Sequence, residues 1–73
     1  HEIVAYWIKL TYDRNTYLVD LDRVSAFCYT QNGRISFSVM DGTVTIVINQ
    51  QSDPNTYQAI LDYVEKQTGQ SLR

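Results

Sequence analysis

Residues 35–48, with the sequence ISFSVMDGTVTIVI, decide how this chain folds. Two β-rich runs flank the dipeptide Asp41-Gly42, which is typical of a tight hairpin turn because Asp and Gly tolerate the positive φ that such a turn requires. A two-residue turn places Val39 opposite Val44 and sets the register of the remaining pairs. The segment therefore predicts two antiparallel strands joined at this turn.

A second dipeptide of the same kind, Asn32-Gly33, precedes this segment. It too follows a β-rich run, and a two-residue turn there places Cys28 opposite Phe37. The two turns together predict a three-stranded antiparallel meander with strands over residues 24–30, 35–40 and 43–48.

The two registers sort the side chains of the three strands onto the same two faces. A slip of one residue would exchange the faces, so this agreement supports the pairing. The face expected to point into the core carries Val24, Ala26, Cys28, Ile35, Phe37, Val39, Val44, Ile46 and Ile48. The outer face carries Ser25, Phe27, Tyr29, Ser36, Ser38, Met40, Thr43, Thr45 and Val47.

The segment before the meander predicts a further hairpin. Residues 3–12 and 17–21 are rich in β-branched and aromatic side chains, and residues 13–16 between them have turn composition. Residues 20–23 interrupt the alternation and predict a corner, with Leu21 inward and both aspartates in water. Alternation predicts that the core-facing residues of the first strand are Val4, Tyr6, Ile8 and Leu10.

After the meander the apolar period changes from two to 3.6, which predicts a helix over 54–68. Asp53 and Pro54 are typical of the N-cap and the first helical position. Gly69 is typical of the residue that follows a helix end. One apolar stripe is formed by Tyr57, Ile60, Leu61 and Val64.

These elements predict one small α+β domain over residues 1–73, in which an antiparallel meander of four to five strands carries a C-terminal helix packed on one face. A domain of this size rarely gains more than roughly 3–5 kcal/mol from one core, so self-association would add appreciably to its stability.

Composition excludes several functional classes. Six basic residues stand against eight acidic ones for a net charge of −2, and the basic residues are scattered, which is a poor footprint for duplex DNA. No apolar run approaches the roughly 20 residues of a membrane span, and no signal peptide is visible. The single Cys28 excludes an internal disulfide and a multi-cysteine zinc site, and it indicates a reducing, cytoplasmic compartment.

No constellation of residues predicts catalysis. The only histidine is His1 at the terminus, and Cys28 is expected to be a buried hydrophobe rather than a reactive thiolate. Asp20 and Asp22 are spaced as a metal pair on a strand, but a solvated corner is favoured because no further oxygen ligands accompany them. We therefore expect no enzyme activity, no cofactor and no metal.

The outer sheet face is the best candidate for function. Apolar side chains there lie among hydroxyl-bearing ones, which suits either a moderate-affinity protein contact, including a homodimer, or a plain solvent-facing sheet. We expect that replacing Phe27 and Tyr29 by Ser abolishes the contact and leaves the fold intact. The candidate interaction set consists of Phe27, Tyr29, Met40, Val47 and Trp7.

The alternative function is a module that binds single-stranded nucleic acid by stacking bases on Phe27 and Tyr29. That mode also requires positive charge between the aromatic rings, and this face carries no Lys or Arg. A protein–protein interaction module or accessory subunit, self-associating through the outer sheet face or an edge strand, is therefore the favoured interpretation.

Residues 17–67 contain, in order, the segment VDLDRV at 19–24, the two turn dipeptides and the segment DPNTY at 53–57 that opens the helix. With these features, residues 17–67 resemble the second half of a bacterial pleckstrin-homology-like domain. A full domain of that kind has more strands than this chain supplies. The resemblance implies a non-catalytic interaction scaffold.

Overall fold

A computed structural model describes residues 6–73. These residues are α+β, as predicted, but the five strands they contain form two antiparallel sheets, of two and three strands, rather than one meander. The elements in order are β1 (Trp7–Tyr12), β2 (Asn15–Asp20), a 3₁₀ turn (Leu21–Arg23), β3 (Cys28–Tyr29), β4 (Ile35–Val39), β5 (Val44–Ile48) and α1 (Pro54–Thr68).

The β4–β5 hairpin has the predicted register, with Val39 opposite Val44 and Phe37 opposite Ile46. The loop itself differs from the predicted two-residue turn, because residues 40–43 lie outside both strands and Met40, Asp41 and Gly42 have φ of 55°, 59° and 85°. The buried side chains of this hairpin are Ile35, Phe37, Ile46 and Ile48, which confirms the core face of these two strands.

The β3–β4 hairpin differs from the prediction by one residue. Tyr29 lies opposite Ile35 rather than Ser36. Gly33 has a φ of +82°, whereas Asn32 has no positive φ, so only the glycine is left-handed. The Gly33 N–H donates to the Thr30 carbonyl at 3.0 Å. The loop therefore contains three residues and a left-handed glycine, the next hairpin loop that an Asn-Gly dipeptide can form.

This slip reverses the faces of the third strand, as a one-residue shift must. Cys28 lies opposite Ser36 and is exposed, so the expectation that it is a buried hydrophobe is wrong. Phe27 packs against the core instead of pointing outward, and Tyr29 shares the face of the buried Ile35. Residues 24–27 are not part of a strand, so the predicted strand shrinks to two residues.

The first hairpin, β1–β2, is joined by a two-residue turn in which Asp13 and Arg14 have φ of 52° and 68°. Leu10 is buried and Ile8 packs against the core, as the alternation predicts. Tyr6 is exposed. Residues 3–5 of the predicted first strand, including Val4, lie outside the described residues.

The corner after β2 is a 3₁₀ turn with Leu21 buried inside it, as predicted. Asp22 is exposed, but the expectation that Asp20 is in water is wrong, since its side chain is only 10% exposed. Its Oδ1 accepts the N–H groups of Asp22 at 3.0 Å and Tyr6 at 3.2 Å. Its Oδ2 lies 3.8 Å from the Nε of Arg23. Asp20 is the N-cap of the turn, which explains why it is drawn inward.

Helix α1 has the predicted bounds, 54–68. The Asp53 carboxylate accepts the Thr56 N–H at 3.2 Å, and Gly69 ends the helix with a φ of 76°. The apolar stripe of the helix belongs to the same core cluster as the inward-facing residues of β4, β5 and the β1–β2 hairpin. Within residues 6–73, no helix is long and apolar enough to cross a bilayer. The core consists of Leu10, Val19, Leu21, Ile35, Phe37, Ile46, Ile48, Tyr57, Ile60 and Leu61.

Candidate interaction site

The five residues of the candidate interaction set do not form one patch. Phe27 packs against the core, and Tyr29 shares the sheet face of the buried Ile35, although it is 36% exposed. Val47 lies on the outer face opposite Ser36, Met40 lies in the β4–β5 turn, and Trp7 lies on β1. The prediction of a shared aromatic outer surface therefore loses its geometric basis, although the role of each residue in binding stays a prediction.

Tyr29 contributes to the junction between the first loop of the meander and the helix. The Tyr57 hydroxyl donates to the Gly33 carbonyl at 2.9 Å across 24 residues of sequence. Burial raises the pKa of Tyr57, and the neighbouring Tyr29 hydroxyl raises it further. A Cβ atom at Gly33 would lie 3.6 Å from the Tyr29 hydroxyl. These contacts give Tyr29 a place in the packing of the loop.

Phe27 belongs to a cluster of aromatic rings between the sheet and the helix. Its ring centroid lies 5.4 Å from that of Phe37 and 6.2 Å from that of Tyr63. Tyr63 also makes an edge contact with Tyr6 at 5.1 Å, and its hydroxyl donates to the Asp22 carboxylate. Burial, then the hydrogen bond to Asp22, raises the pKa of Tyr63 to about 12. The nucleic-acid hypothesis needed free aromatic faces at Phe27 and Tyr29, and Phe27 is instead engaged in this cluster.

Exposed apolar side chains surround an open cleft of about 540 Å³ between the β1–β2 hairpin and the β4–β5 turn. Trp7, Leu18 and Met40 line it and are 60%, 68% and 66% exposed. Sequence reasoning missed Leu18, although its position in the β-like run of residues 17–21 was a usable signal. Leu18 pairs with Lys9 on the outer side of the β1–β2 hairpin.

Met40 occupies an unfavourable backbone conformation at the edge of this cleft. Its φ is 55°, in the left-handed region that costs a residue with a Cβ about 1–2 kcal/mol. Its side chain is also one of the most exposed apolar groups of the described residues. Neither the backbone nor the burial of Met40 therefore contributes to the stability of the isolated chain.

The outer face of the three-stranded sheet is mostly polar. Ser38 and Thr45 lie opposite each other, with their hydroxyl oxygens 3.5 Å apart. Ser36 and Val47 form the adjacent row, and both are half-buried. A face of this composition fits a sheet that is covered by water on one side.

Strand β5 forms one edge of the three-stranded sheet. In the part of the chain that the structure describes, β5 pairs only with β4. Residues 43–52, TVTIVINQQS, carry no charge, no proline and no glycine. Edge strands of monomeric proteins are usually protected by charged side chains, proline, bulges or a covering loop. Val47, a member of the candidate set, lies on this strand.

Among the described residues, His, Cys, Asp and Glu side chains do not come together in any cluster of three or more that could bind a metal ion. The carboxylate pair singled out in the sequence is occupied by protein groups. Asp20 caps the corner and Asp22 accepts the Tyr63 hydroxyl. Both carboxylates therefore serve the packing of the corner against the helix.

Comparisons with models of known protein families, with curated proteins and with solved structures found no match. The resemblance of residues 17–67 to a pleckstrin-homology-like domain stays a prediction.

Proposed function

We propose that this chain is a small non-catalytic protein-interaction module that self-associates through the outer edge of β5. The observation that carries the proposal is the combination of a strand edge that is unpaired within residues 6–73 with the uncharged segment 43–52 that contains it. Unpaired N–H and C=O groups along such an edge are a template for a strand of another chain.

Self-association through the edge is favoured over self-association through the outer face. The outer face carries mainly hydroxyl groups. The rings of Phe27 and Tyr29, which would have given this face an apolar contact surface, lie on the core side. The strand β5 offers β-branched residues at all five positions, which pair well across antiparallel strands. Pairing with a second copy would also stabilise the folded chain, whose core has only ten buried apolar side chains.

A cytoplasmic location is part of the same proposal. Cys28 is an exposed free thiol, and an exposed unpaired thiol suits a compartment that is kept reducing.

Two double variants of equal charge test the proposal. Thr45→Lys with Val47→Lys adds two cations to the edge strand, whereas Ser38→Lys with Ser36→Lys adds them to the central strand in the same two cross-strand rows. Lysine on an edge strand opposes pairing with another strand. Light scattering and sedimentation equilibrium measure the mass, and circular dichroism checks that each variant is folded.

We expect the unmodified chain and the central-strand variant to have twice the monomer mass of 8.5 kDa, and the edge variant to be monomeric. A monomeric unmodified chain at concentrations up to the millimolar range would overturn self-association. Loss of the dimer in both variants would assign the contact to the outer face, which all four substituted side chains share, and a dimer that survives in the edge variant would exclude the β5 edge.

A further inference from the structure

We infer that β5 pairs antiparallel with β5 of a second copy, with Ile46 opposite Ile46 on a two-fold axis. This inference rests on the proposed self-association and specifies its register. The pairing would join two three-stranded sheets into one of six strands.

The alternation of the two faces limits which registers are possible. On β5, Ile46 and Ile48 point into the core, and Thr45 is exposed on the outer face. In a continuous sheet, residues directly opposite each other point to the same face. Core positions must therefore oppose core positions, so the numbers of two opposed residues must add to an even number.

The length of the strand selects one of the even registers. With Ile46 opposite Ile46, all five residues of Val44–Ile48 find partners within β5 of the second copy. A shift in one direction would place the turn residues Gly42 and Thr43 opposite strand residues, and Gly42 has a φ of 85°. A shift in the other direction would bring in Asn49 and Gln50, which lie beyond the strand.

The chosen register is also chemically self-complementary. Val44 lies opposite Ile48 of the second copy on the core side, and Thr45 lies opposite Val47 of the second copy on the outer side. These are pairs of β-branched residues, which stabilise antiparallel strands. No charged residue lies within residues 43–52, so no like charges meet at the axis.

Disulfide trapping tests the register, because only directly opposed positions bring two Cβ atoms near the distance a disulfide needs. The exposed Cys28 is first replaced by Ser. Three samples are then oxidised under mild conditions: Thr45→Cys alone, Val47→Cys alone, and an equimolar mixture of the two. Mass spectrometry identifies which chains are joined.

We expect the mixture to form the 45–47 disulfide at least ten-fold faster than either single variant forms its own. Preferential linkage of Thr45→Cys with itself, or of Val47→Cys with itself, would overturn this register while leaving self-association intact. Equal rates in all three samples would overturn any fixed register. Absence of cross-links together with a monomeric mass would overturn both the register and the proposed function.

The unmodified chain provides a second measurement that does not depend on the folding of the cysteine variants. In a mixture of differently isotope-labelled chains, we expect intermolecular nuclear Overhauser effects between Thr45 and Val47 of the two copies. Intermolecular effects between Thr45 and Thr45, or between Val47 and Val47, as the strongest contacts would contradict the register.

Discussion

The two hairpins of the three-stranded sheet start from similar dipeptides and reach different loops. The loop at Asp41-Gly42 has three left-handed residues, since Met40 joins the dipeptide, and the β4–β5 register is nevertheless the one that a two-residue turn predicts. Asn32-Gly33 has only one, at the glycine, and the β3–β4 register is shifted by one residue. A turn dipeptide therefore predicts that a hairpin exists more reliably than it predicts the length of its loop.

The difference follows from what each hairpin contacts. Both strands of the β4–β5 hairpin carry buried residues that fix its pairing over five residue pairs. The β3–β4 hairpin has two pairs, and its loop is held by the Tyr57 hydroxyl, which donates to the Gly33 carbonyl. In the short hairpin, packing against the helix and the aromatic cluster outweighs the local preference for a two-residue turn.

The largest expected change in stability contrasts Phe27, just before the β3–β4 hairpin, with Met40, in the β4–β5 loop. We expect Phe27→Ala to lower the free energy of unfolding by about 2 kcal/mol, less than a fully buried Phe because Phe27 is half-buried. We expect the exposed Met40→Ala to change it by less than about 0.5 kcal/mol. Urea denaturation measures both.

This pair of variants also replaces the expectation that Phe27 can be exchanged without affecting the fold. A Phe27→Ala variant as stable as Met40→Ala would place the ring on the outer face and support the two-residue turn at Asn32-Gly33. Both samples should be compared in the same oligomeric state, since self-association adds to apparent stability.

A smaller effect contrasts the first residues of the two dipeptides. We expect Asp41→Ala to cost about 1 kcal/mol, because Asp tolerates the left-handed region better than Ala does. We expect Asn32→Ala to cost about half as much or less, since it loses only an exposed hydrogen bond from Thr30. Thermal and urea unfolding measure the difference, and equal costs would indicate that Asn32 and Asp41 both occupy the left-handed region.

The smallest effect involves reactivity without a change in stability. Because Cys28 lies opposite Ser36 and is exposed, we expect a thiol reagent to modify it in the folded protein at a rate within a few-fold of that in urea. The predicted register, with Cys28 buried opposite Phe37, would instead slow the reaction by orders of magnitude. A strongly protected thiol would restore the two-residue turn.

Local signals were sufficient where each element is specified by adjacent residues. Asp53, Pro54 and Gly69 determine both ends of the helix, since capping depends on backbone groups within one turn. The alternation of residues 35–48 determines the β4–β5 hairpin in the same way. The sequence predicted an edge strand as an interaction surface, and it identified Met40 and Trp7 of the cleft but not Leu18.

Amino-acid order alone determined the α+β class, the helix bounds, the β4–β5 register and the core face of that hairpin, because turn, cap and alternation preferences act over a few residues. Tertiary structure decided the division into two sheets, the core-side position of Phe27 and Tyr29 and the bond that Asp20 accepts from the Tyr6 N–H. The Tyr6–Asp20 and Tyr57–Gly33 hydrogen bonds and the Phe27–Tyr63 ring contact each span 14 or more residues. Where strand pairing is short, the burial of one aromatic ring outweighs the preference of a turn.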